Sequence, residues 1–283
     1  MNGRRVRAHL RRALQSVGGA ARLPETSRTT LLALAEYARR QGDTPGAKEP
    51  MPLGLYELRV FSQNGEDGVI AEILERVGAP ERFFVEFGAS TGTENNCVVL
   101  ADVLGWTGLF IEGGGLEYDA LERKYRGNRR VATIQALVTP DNVGPLFLRH
   151  AVPQEPDVLS IDVDGSDYWI WESLTYRPRL LVIEYNSALE PGRALVQPRD
   201  HPGWDQTDYF GASIEALIQL GARKGYRLVH TDLTGTNAFF VRDDLAGKFS
   251  SAGDVVVHRT NLYLAGVAHR PDPLRRAFVD LDL

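Results

Sequence analysis

From about Leu55 onward, short apolar runs alternate with amphipathic helical segments, and this alternation constrains the fold most strongly. Strands that alternate with helices predict a parallel sheet with helices on both faces. The predicted strands cover residues 83–87, 109–112, 131–134, 158–162, 179–185, 227–231 and 238–241. The first predicted helix has an apolar face formed by Val69, Ile70, Ile73, Leu74 and Val77. Further helices are predicted over residues 97–104, 116–125, 143–150, 168–174 and 212–223.

The last two predicted strands are separated only by the short loop 232–237, so they can form an antiparallel hairpin. Plain dinucleotide-binding folds usually stay parallel throughout. The pattern therefore predicts an α/β fold whose mostly parallel sheet ends in an antiparallel strand.

Proline and glycine divide the chain into three segments. Residues 42–54 contain three prolines and three glycines, which is typical of a linker. We predict an N-terminal basic helical segment with this linker at 1–54, a main domain at 55–250, and a C-terminal extension at 251–283. Within the first segment, apolar residues at helical spacing over 6–17 and a second apolar face over 28–40 predict two helices.

Charge is distributed unevenly. Residues 1–50 carry ten Lys and Arg against four Asp and Glu, a net charge of +6. The whole chain has a net charge of −5, so residues 51–283 carry a net charge of −11. An acidic body argues against nucleic-acid binding and suits a cationic ligand or a metal ion. The basic first helix is interpreted as solvated or as an oligomer-forming helix, or as a helix lying on an anionic membrane.

Two further features concern location. No apolar run approaches the roughly 20 residues that a bilayer span requires. The single cysteine, Cys97, excludes an intrachain disulfide and a cysteine-based zinc site, and it favours a reducing compartment. We therefore expect a cytoplasmic protein without a transmembrane span.

The first predicted strand ends in the pattern E-x-G-x-x-x-G, formed by Glu86, Gly88 and Gly92. The glycines allow a tight turn and the close approach of a ligand. The loop has no basic residue, and a carboxylate suits an amine or sulfonium better than a diphosphate. The alternative is a strand-to-helix turn with a surface acid.

The second predicted strand ends at Glu112, and an acid at this position commonly binds two ribose hydroxyls. Glu86 and Glu112 together describe a nucleoside with a positively charged tail. S-adenosylmethionine fits that description.

Acidic residues also follow the fourth and fifth predicted strands. Asp162, Asp164 and Asp167 lie within six residues, and they repel one another unless a cation is present. Glu184 and Asn186 add the oxygen ligands that Mg²⁺ prefers. The alternatives are a helix N-cap for Asp167 and solvated loop acids for the others.

A long loop after the fifth strand contains His201, Trp204 and Tyr209. Long loops in compact domains usually form lids or binding sites. His201 is a candidate general base, and the alternative is a solvated side chain. The segment 61–68 is rich in amide and acid groups, which predicts either a capping turn or contact with the site.

The strings FSQNGEDGVIAEIL, FFVEFGASTGTENN, GLFIE, LSIDVDGSDYWIW and LLVIEYN resemble the FkbM-type branch of class I S-adenosylmethionine-dependent methyltransferases over residues 58–245. The resemblance implies a Rossmann-like seven-stranded, mostly parallel sheet with an antiparallel terminal strand. It also implies S-adenosylmethionine as cofactor, with Asp162 at the cofactor–substrate junction and Glu112 on the ribose. Residues expected along the methionine part are Glu86, Gly88 and Gly92, and Ser90 is a further candidate cofactor-binding residue.

A second resemblance concerns the metal. Catechol-type O-methyltransferases bind Mg²⁺ through an Asp after the fourth strand and an Asp-Asn pair after the fifth. Asp162 or Asp164, together with Glu184 and Asn186, stands in a similar place, although Tyr185 separates the last two. We therefore expect in-line methyl transfer to a hydroxyl of a sugar, glycan or small natural product, assisted by Mg²⁺ or by a carboxylate. The candidate catalytic residues are Asp164, His201 and Glu184.

Two other functions fit parts of the pattern. Asp162-x-Asp164 after an apolar strand also describes metal-dependent glycosyltransferases that use nucleotide sugars, but Glu86 and Glu112 would oppose a diphosphate. A non-catalytic scaffold with the methyltransferase fold, joined to a partner through its basic helices, is the other alternative.

Overall fold

The computed structural model describes residues 52–201, 203–258 and 269–282. The two predicted N-terminal helices and nearly all of the predicted linker lie outside the described residues. Within the described ranges, no helix has the length and hydropathy needed to cross a bilayer.

One seven-stranded sheet organises the chain. Its strands run in the order β3-β2-β1-β4-β5-β8-β7. Strands β1 to β5 pair in parallel, and β8 is antiparallel to both β5 and β7. This arrangement confirms the predicted fold class. The strands are β1 (Phe83–Phe87), β2 (Thr107–Glu112), β3 (Val131–Gln135), β4 (Val158–Ile161), β5 (Leu180–Glu184), β7 (Tyr226–Thr231) and β8 (Asn237–Arg242).

In the described part of the chain, five α-helices surround the sheet: α1 (Glu66–Val77), α2 (Gly115–Tyr125), α3 (Val143–Arg149), α4 (Asp167–Ser173) and α5 (Ile214–Lys224). A π-helical segment, Val99–Val103, lies where the sequence predicts a helix at 97–104. Short 3₁₀ helices cover Leu53–Tyr56, Asp243–Lys248 and Ala252–Asp254. The predicted ends of the main elements differ from these bounds by one or two residues.

Local chemistry fixes several of these boundaries. Gly65 precedes α1 with a left-handed φ of 109°, and Glu66 and Asp67 occupy the first turn, where carboxylates favour the helix dipole. Ser213 caps α5 by accepting a hydrogen bond from the Ala216 amide, and Gly225 ends that helix with φ 77°.

Two apolar layers cover the two faces of the sheet. Because side chains alternate along a strand, Val85 and Phe87 face one layer and Phe84 faces the other. The first layer contains Phe147 of α3, Trp171 of α4 and Leu217 of α5, all buried. The second contains Ile70 and Ile73 of α1 and Leu121 of α2. The helix face predicted from apolar spacing in α1 is therefore the buried face.

The strand order reverses between β1 and β4, because β1 is followed on one side by β2 and on the other by β4. In open α/β sheets, ligands bind beyond the carboxyl ends of the strands at such a switch point. A ligand is therefore expected beside the residues that end β1, β2, β4 and β5.

A second, two-stranded sheet was not predicted from the sequence. It pairs β6 (Leu195–Val196) with β9 (Val279–Asp280) in antiparallel orientation. The C-terminal residues 269–282 therefore lie against the loop that follows β5. The domain boundaries at residues 54 and 250 remain predictions.

Candidate cofactor and metal site

A cavity of about 170 Å³ opens at the switch point between β1 and β4. Its volume is smaller than that of typical small-molecule sites, so it suits one end of a larger ligand. None of the described residues that line it is basic. The lining residues are Gln63, Glu66, Glu86, Gly88, Ser90, Thr91, Thr93, Glu94, Asn95, Asn96, Asp162 and Asn237.

Glu86 is the buried acid of this cavity and is only 3% exposed. One carboxylate oxygen accepts a hydrogen bond from the Asn96 amide and the other from the Cys97 amide, each at 2.9 Å. Burial raises the pKa of Glu86 to about 7, although these two amide hydrogen bonds act in the opposite direction. Glu86 therefore braces the start of the π-helical region as well as lining the cavity.

Two side-chain oxygens at the cavity have no hydrogen-bond partner. They are the Oδ1 atoms of Asn95 and Asn237, and both are buried. The other end of the Asn237 amide donates to Glu66 Oε1 at 2.9 Å. Buried polar atoms rarely stay unsatisfied, so these oxygens indicate a ligand or water that donates hydrogen bonds. Together with Glu66 and Glu86, they make the cavity rich in acceptors.

The structure distinguishes the two glycines of the E-x-G-x-x-x-G pattern. Gly88 has φ 65°, and a Cβ atom there would lie 1.8 Å from the carbonyl oxygen of Asp162, so the residue is required where β1 approaches the end of β4. Gly92 has φ 72°, but its Cβ position lies 2.6 Å from Leu121 of α2. Gly92 does not line the cavity; it allows the loop to pack on α2. Contact between Gly92 and the cofactor remains a prediction.

Glu112 connects the loops that follow β1 and β2. One carboxylate oxygen accepts a hydrogen bond from the Ser90 amide and the other from the Gly114 amide, both at 2.6 Å. Glu112 is outside the cavity lining but is joined to it through Ser90. Leu116 and Leu137, which follow β2 and β3, are 82% and 75% exposed. An acid and two exposed apolar side chains thus stand at the same edge of the sheet.

Three carboxylates form an acidic trio after β4 and β5. Asp162, Asp164 and Glu184 each offer a ligand oxygen, and these atoms lie within 4.8 Å of one another. Burial, together with the charges of neighbouring acids, raises the pKa of Asp162 and of Glu184 well above the usual range. Glu184 Oε2 is buried and has no hydrogen-bond partner. Hard oxygen donors with mutual repulsion and an unpartnered atom fit a divalent cation.

Asn186, a predicted metal ligand, is directed elsewhere. Its amide nitrogen donates to the carbonyl oxygens of Asp208 (2.8 Å) and Phe210 (2.9 Å), and its oxygen accepts from the Ala188 amide (3.1 Å). Asn186 braces the loop after β5, and Asp164 stands with Asp162 and Glu184 in its place.

Asp167 holds the loop that carries Asp164. Its two carboxylate oxygens accept hydrogen bonds from the amides of Val163 and Gly165, each at 2.9 Å. It is the first residue of α4 and binds the loop preceding the helix, so its role differs from that of an N-cap.

His201 is positioned against the same loop. Its Nδ1 accepts a hydrogen bond from the Gly203 amide at 3.0 Å, and its Nε2 lies 3.0 Å from Ser166 Oγ. Since Nδ1 accepts, the ring proton is on Nε2, which donates to Ser166. Burial lowers the pKa of His201. Both ring nitrogens are engaged, so this geometry leaves no free lone pair for the proposed general base.

Sequence reasoning did not single out Glu66, Asn237 or His269. Glu66 belongs to the acid- and amide-rich segment 61–68, which predicted contact with the site without choosing a residue. Asn237 begins β8, and His269 lies in the C-terminal segment. Neither has a local sequence signal, because tertiary contacts alone bring them to the carboxyl edge of the sheet.

Comparison with known proteins gives the following results. No protein-family model and no curated protein matches the chain. The N-terminal domain of EvdMO1 with SAH bound is a structural neighbour with 15% identity, covering 73% of this chain and 94% of that one, at a TM-score of 0.42. CurJ carbon methyltransferase matches at 13% identity over 82% of this chain and 70% of its own, with a TM-score of 0.42.

Fibrillarin from Aeropyrum pernix, with natively bound S-adenosyl-L-methionine, has 14% identity and a TM-score of 0.39, covering 61% of this chain and 74% of that one. The structural neighbours thus include S-adenosylmethionine-dependent methyltransferases, among them a carbon methyltransferase and the StiE O-MT. At these identities and TM-scores, the likeness assigns no activity to this chain.

Proposed function

We propose that this chain is an S-adenosylmethionine-dependent methyltransferase that methylates a hydroxyl group of a sugar or small natural product. The observation that supports this function best is the acceptor-rich, acidic cavity at the switch point. The cavity has the size of one end of a ligand, and its carboxylates and unpartnered oxygens suit an ammonium group. A diphosphate would instead require hydrogen-bond donors or basic residues there.

The neighbouring residues suit the rest of the cofactor. Glu66 and Glu86 would face the amino end, and Glu112 would accept hydrogen bonds from ribose hydroxyls with its remaining lone pairs. The exposed side chains of Leu116 and Leu137 would contact an aromatic base. Gly88 and Ser90, which line the cavity, would border the ligand.

The reaction places few demands on the protein beyond alignment. S-adenosylmethionine supplies a methyl group on a positively charged sulfur. The chain's residues would hold the acceptor hydroxyl in line with that group and accept its proton as the carbon–oxygen bond forms. The bonding electrons return to sulfur as the carbon–sulfur bond breaks. Asp164 or Glu184 would accept the proton, because His201 is already engaged on both ring nitrogens.

The test of cofactor class is calorimetric titration with S-adenosylhomocysteine. We expect micromolar binding to the wild type and a loss of ~10-fold or more in Glu112→Ala, since that carboxylate would accept the ribose hydrogen bonds. Asp119→Ala is the matched control, because Asp119 is an exposed acid on α2. Its affinity should be unchanged. Absence of binding to the folded wild type would reject the methyltransferase proposal.

We further propose that the acidic trio binds Mg²⁺. Mg²⁺, when bound, would supply positive charge that lowers the pKa of the acceptor hydroxyl. A bound cation also stabilises the folded state, by about 2.7 kcal/mol when its concentration is about 100 times Kd. In thermal unfolding, Mg²⁺ should therefore raise the Tm of the wild type and not of Glu184→Gln, compared with NaCl at equal ionic strength.

Glu172→Gln serves as the control for this experiment, because Glu172 is an exposed acid on α4. It should respond to Mg²⁺ as the wild type does. An equal Tm increase in Glu184→Gln would contradict the proposal that the acidic trio binds Mg²⁺. It would not affect the proposal about the cofactor.

The two alternative functions give different outcomes in the same assays. Stabilisation by a nucleotide sugar with Mn²⁺, and not by S-adenosylhomocysteine, would favour a glycosyltransferase. Cofactor binding without turnover of any acceptor would favour the non-catalytic scaffold. The cytoplasmic location, the oligomeric state and membrane contact by the N-terminal segment remain predictions.

A further inference from the structure

Three rings form an aromatic patch beside the acidic trio: Trp204 and Phe210 from the loop after β5, and His269 from the C-terminal segment. The His269 ring lies 5.1 Å from that of Trp204 and 5.0 Å from that of Phe210, edge to face in both pairs. Trp204 and Phe210 are themselves 6.4 Å apart. Trp204 is 38% exposed, so part of the patch faces solvent.

Direct contacts place the loop carrying this patch on the residues that follow β4. The side chains of Gln197 and His201 lie 2.5 Å and 2.8 Å from the position that a Cβ atom of Gly165 would occupy. Gly165 is the residue after Asp164.

A second connection joins the patch to the end of β5. Asn186, two residues after Glu184, donates a hydrogen bond to the carbonyl oxygen of Phe210 at 2.9 Å. The patch is therefore adjacent to the acidic trio through both β4 and β5.

The patch is held in place before any ligand binds. The indole nitrogen of Trp204 donates to the carbonyl oxygen of Thr207 at 2.9 Å. Arg276 forms an ion pair with Asp205 (2.6 Å), which ties the C-terminal segment to the loop, and a second pair with Asp272 (3.0 Å) within its own segment. The Tyr209 hydroxyl donates to the carbonyl oxygen of Ala277 at 3.0 Å. Rings fixed in this way lose little conformational freedom on binding.

The patch combines an apolar surface with a few polar groups. Because the Trp204 N–H is already bonded within its loop, this residue offers ring surface to a ligand. An imidazole can donate or accept a hydrogen bond, and the neighbouring carboxylates accept them. A flat apolar surface edged by such groups complements a ring that has C–H bonds on its face and hydroxyls at its edge.

Resting on the proposed methyltransferase function, we propose that the aromatic patch binds the acceptor, that the acceptor is a hydroxylated ring of the sugar type, and that His269 contacts one of its hydroxyls. The ring lies on Trp204 with the reacting hydroxyl directed toward Asp164. The C-terminal segment thus supplies a substrate-binding residue to the site formed by the sheet.

Saturation-transfer NMR tests this proposal with a defined set of ligands: the methyl glycosides of glucose, galactose, fucose and rhamnose, added to protein saturated with S-adenosylhomocysteine. We expect signal from at least one glycoside with the wild type. Trp204→Ala and His269→Ala should reduce that signal by roughly fivefold or more, as for residues central to a binding site. Trp204→Phe, which keeps a ring, should retain most of it.

The control variant is Leu274→Ala, on the same C-terminal segment, where the side chain is 72% exposed and outside the patch. Its signal should match the wild type, and the Tm of each variant shows that it is folded. Undiminished signal in both Trp204→Ala and His269→Ala would overturn the proposal. So would the absence of signal from all four glycosides with wild type that binds S-adenosylhomocysteine. Failure of the wild type to bind S-adenosylhomocysteine would instead reject the function on which the proposal rests.

Discussion

Gly88→Ala is expected to destabilise the protein by about 3 kcal/mol or more, or to prevent folding, through overpacking and backbone strain. The new methyl group would lie 1.8 Å from the carbonyl oxygen of Asp162, and the backbone at residue 88 has φ 65°, which disfavours any L side chain. Neither backbone can move away easily, because β1 and β4 are paired from Phe84↔Val158 to Glu86↔Ser160.

Denaturant unfolding measures this effect, and Gly144→Ala provides the matched control. Gly144 lies within α3, and its Cβ position has no atom within 4 Å. Alanine there should leave the stability nearly unchanged, because the position is open, while its place in the first turn before Pro145 removes the advantage that alanine has in a helix interior. If the two variants unfolded at the same denaturant concentration, the close approach of β1 to Asp162 would be wrong.

The second large effect is a pH dependence that comes from Glu86. Its pKa in the folded protein is about 7, against 4.5 for an ordinary glutamate. Between these values the unfolded chain releases the proton and the folded chain retains it, so stability falls as pH rises. The destabilisation caused by ionising Glu86 is absent below pH 4.5 and complete above pH 7. The pKa difference corresponds to about 3 kcal/mol in the free energy of unfolding.

Glu86→Gln should therefore lose less stability than the wild type between pH 4.5 and 7.5, as measured by denaturant unfolding across that range. Asp162 and Glu184, whose pKa values are also raised by burial, continue to contribute a fall of the same sign in both proteins. Parallel stability curves for the two proteins would contradict the assignment to Glu86.

Cofactor binding should show the complementary behaviour. A ligand with an ammonium group favours ionised Glu86, so its affinity should rise with pH and its binding should release a proton near pH 6.5. Calorimetry with S-adenosylhomocysteine in two buffers of different ionisation enthalpy measures that release. Glu86→Gln should abolish it, whereas Glu94→Gln should retain it, because Glu94 is an exposed cavity residue paired with Arg59. Equal proton release in wild type and Glu86→Gln would argue against an ionised Glu86 beneath the ligand.

The sequence alone predicted the sheet and the edge at which ligands would bind. Apolar runs such as 83–87 and 158–162 predict strands because burial and side-chain alternation are local properties of the chain. Glu86, Glu112, Asp162 and Glu184 follow directly, since the carboxyl ends of parallel strands meet at one edge.

Tertiary structure decided what the residues at this edge contact. Gly88 and Gly92 look equivalent in the sequence, yet one lies against Asp162 and the other against Leu121. Asn186 and His201 have the right chemistry for a metal ligand and a base, but hydrogen bonds within the loop, and one from His201 to Ser166, engage both residues.

Other parts of the site had no local signal at all. Asn237 reaches Glu66 across 171 positions of sequence. His269 reaches Trp204 because the C-terminal segment is held on the loop by the bridge between Thr207 and Arg270, by the pairing of β9 with β6 and by the ion pair of Arg276 with Asp205. Local patterns in a sequence determine which segments become strands and helices, since those depend on neighbouring residues. Which polar groups remain free for a ligand depends on partners far along the chain, and only the folded structure decides that.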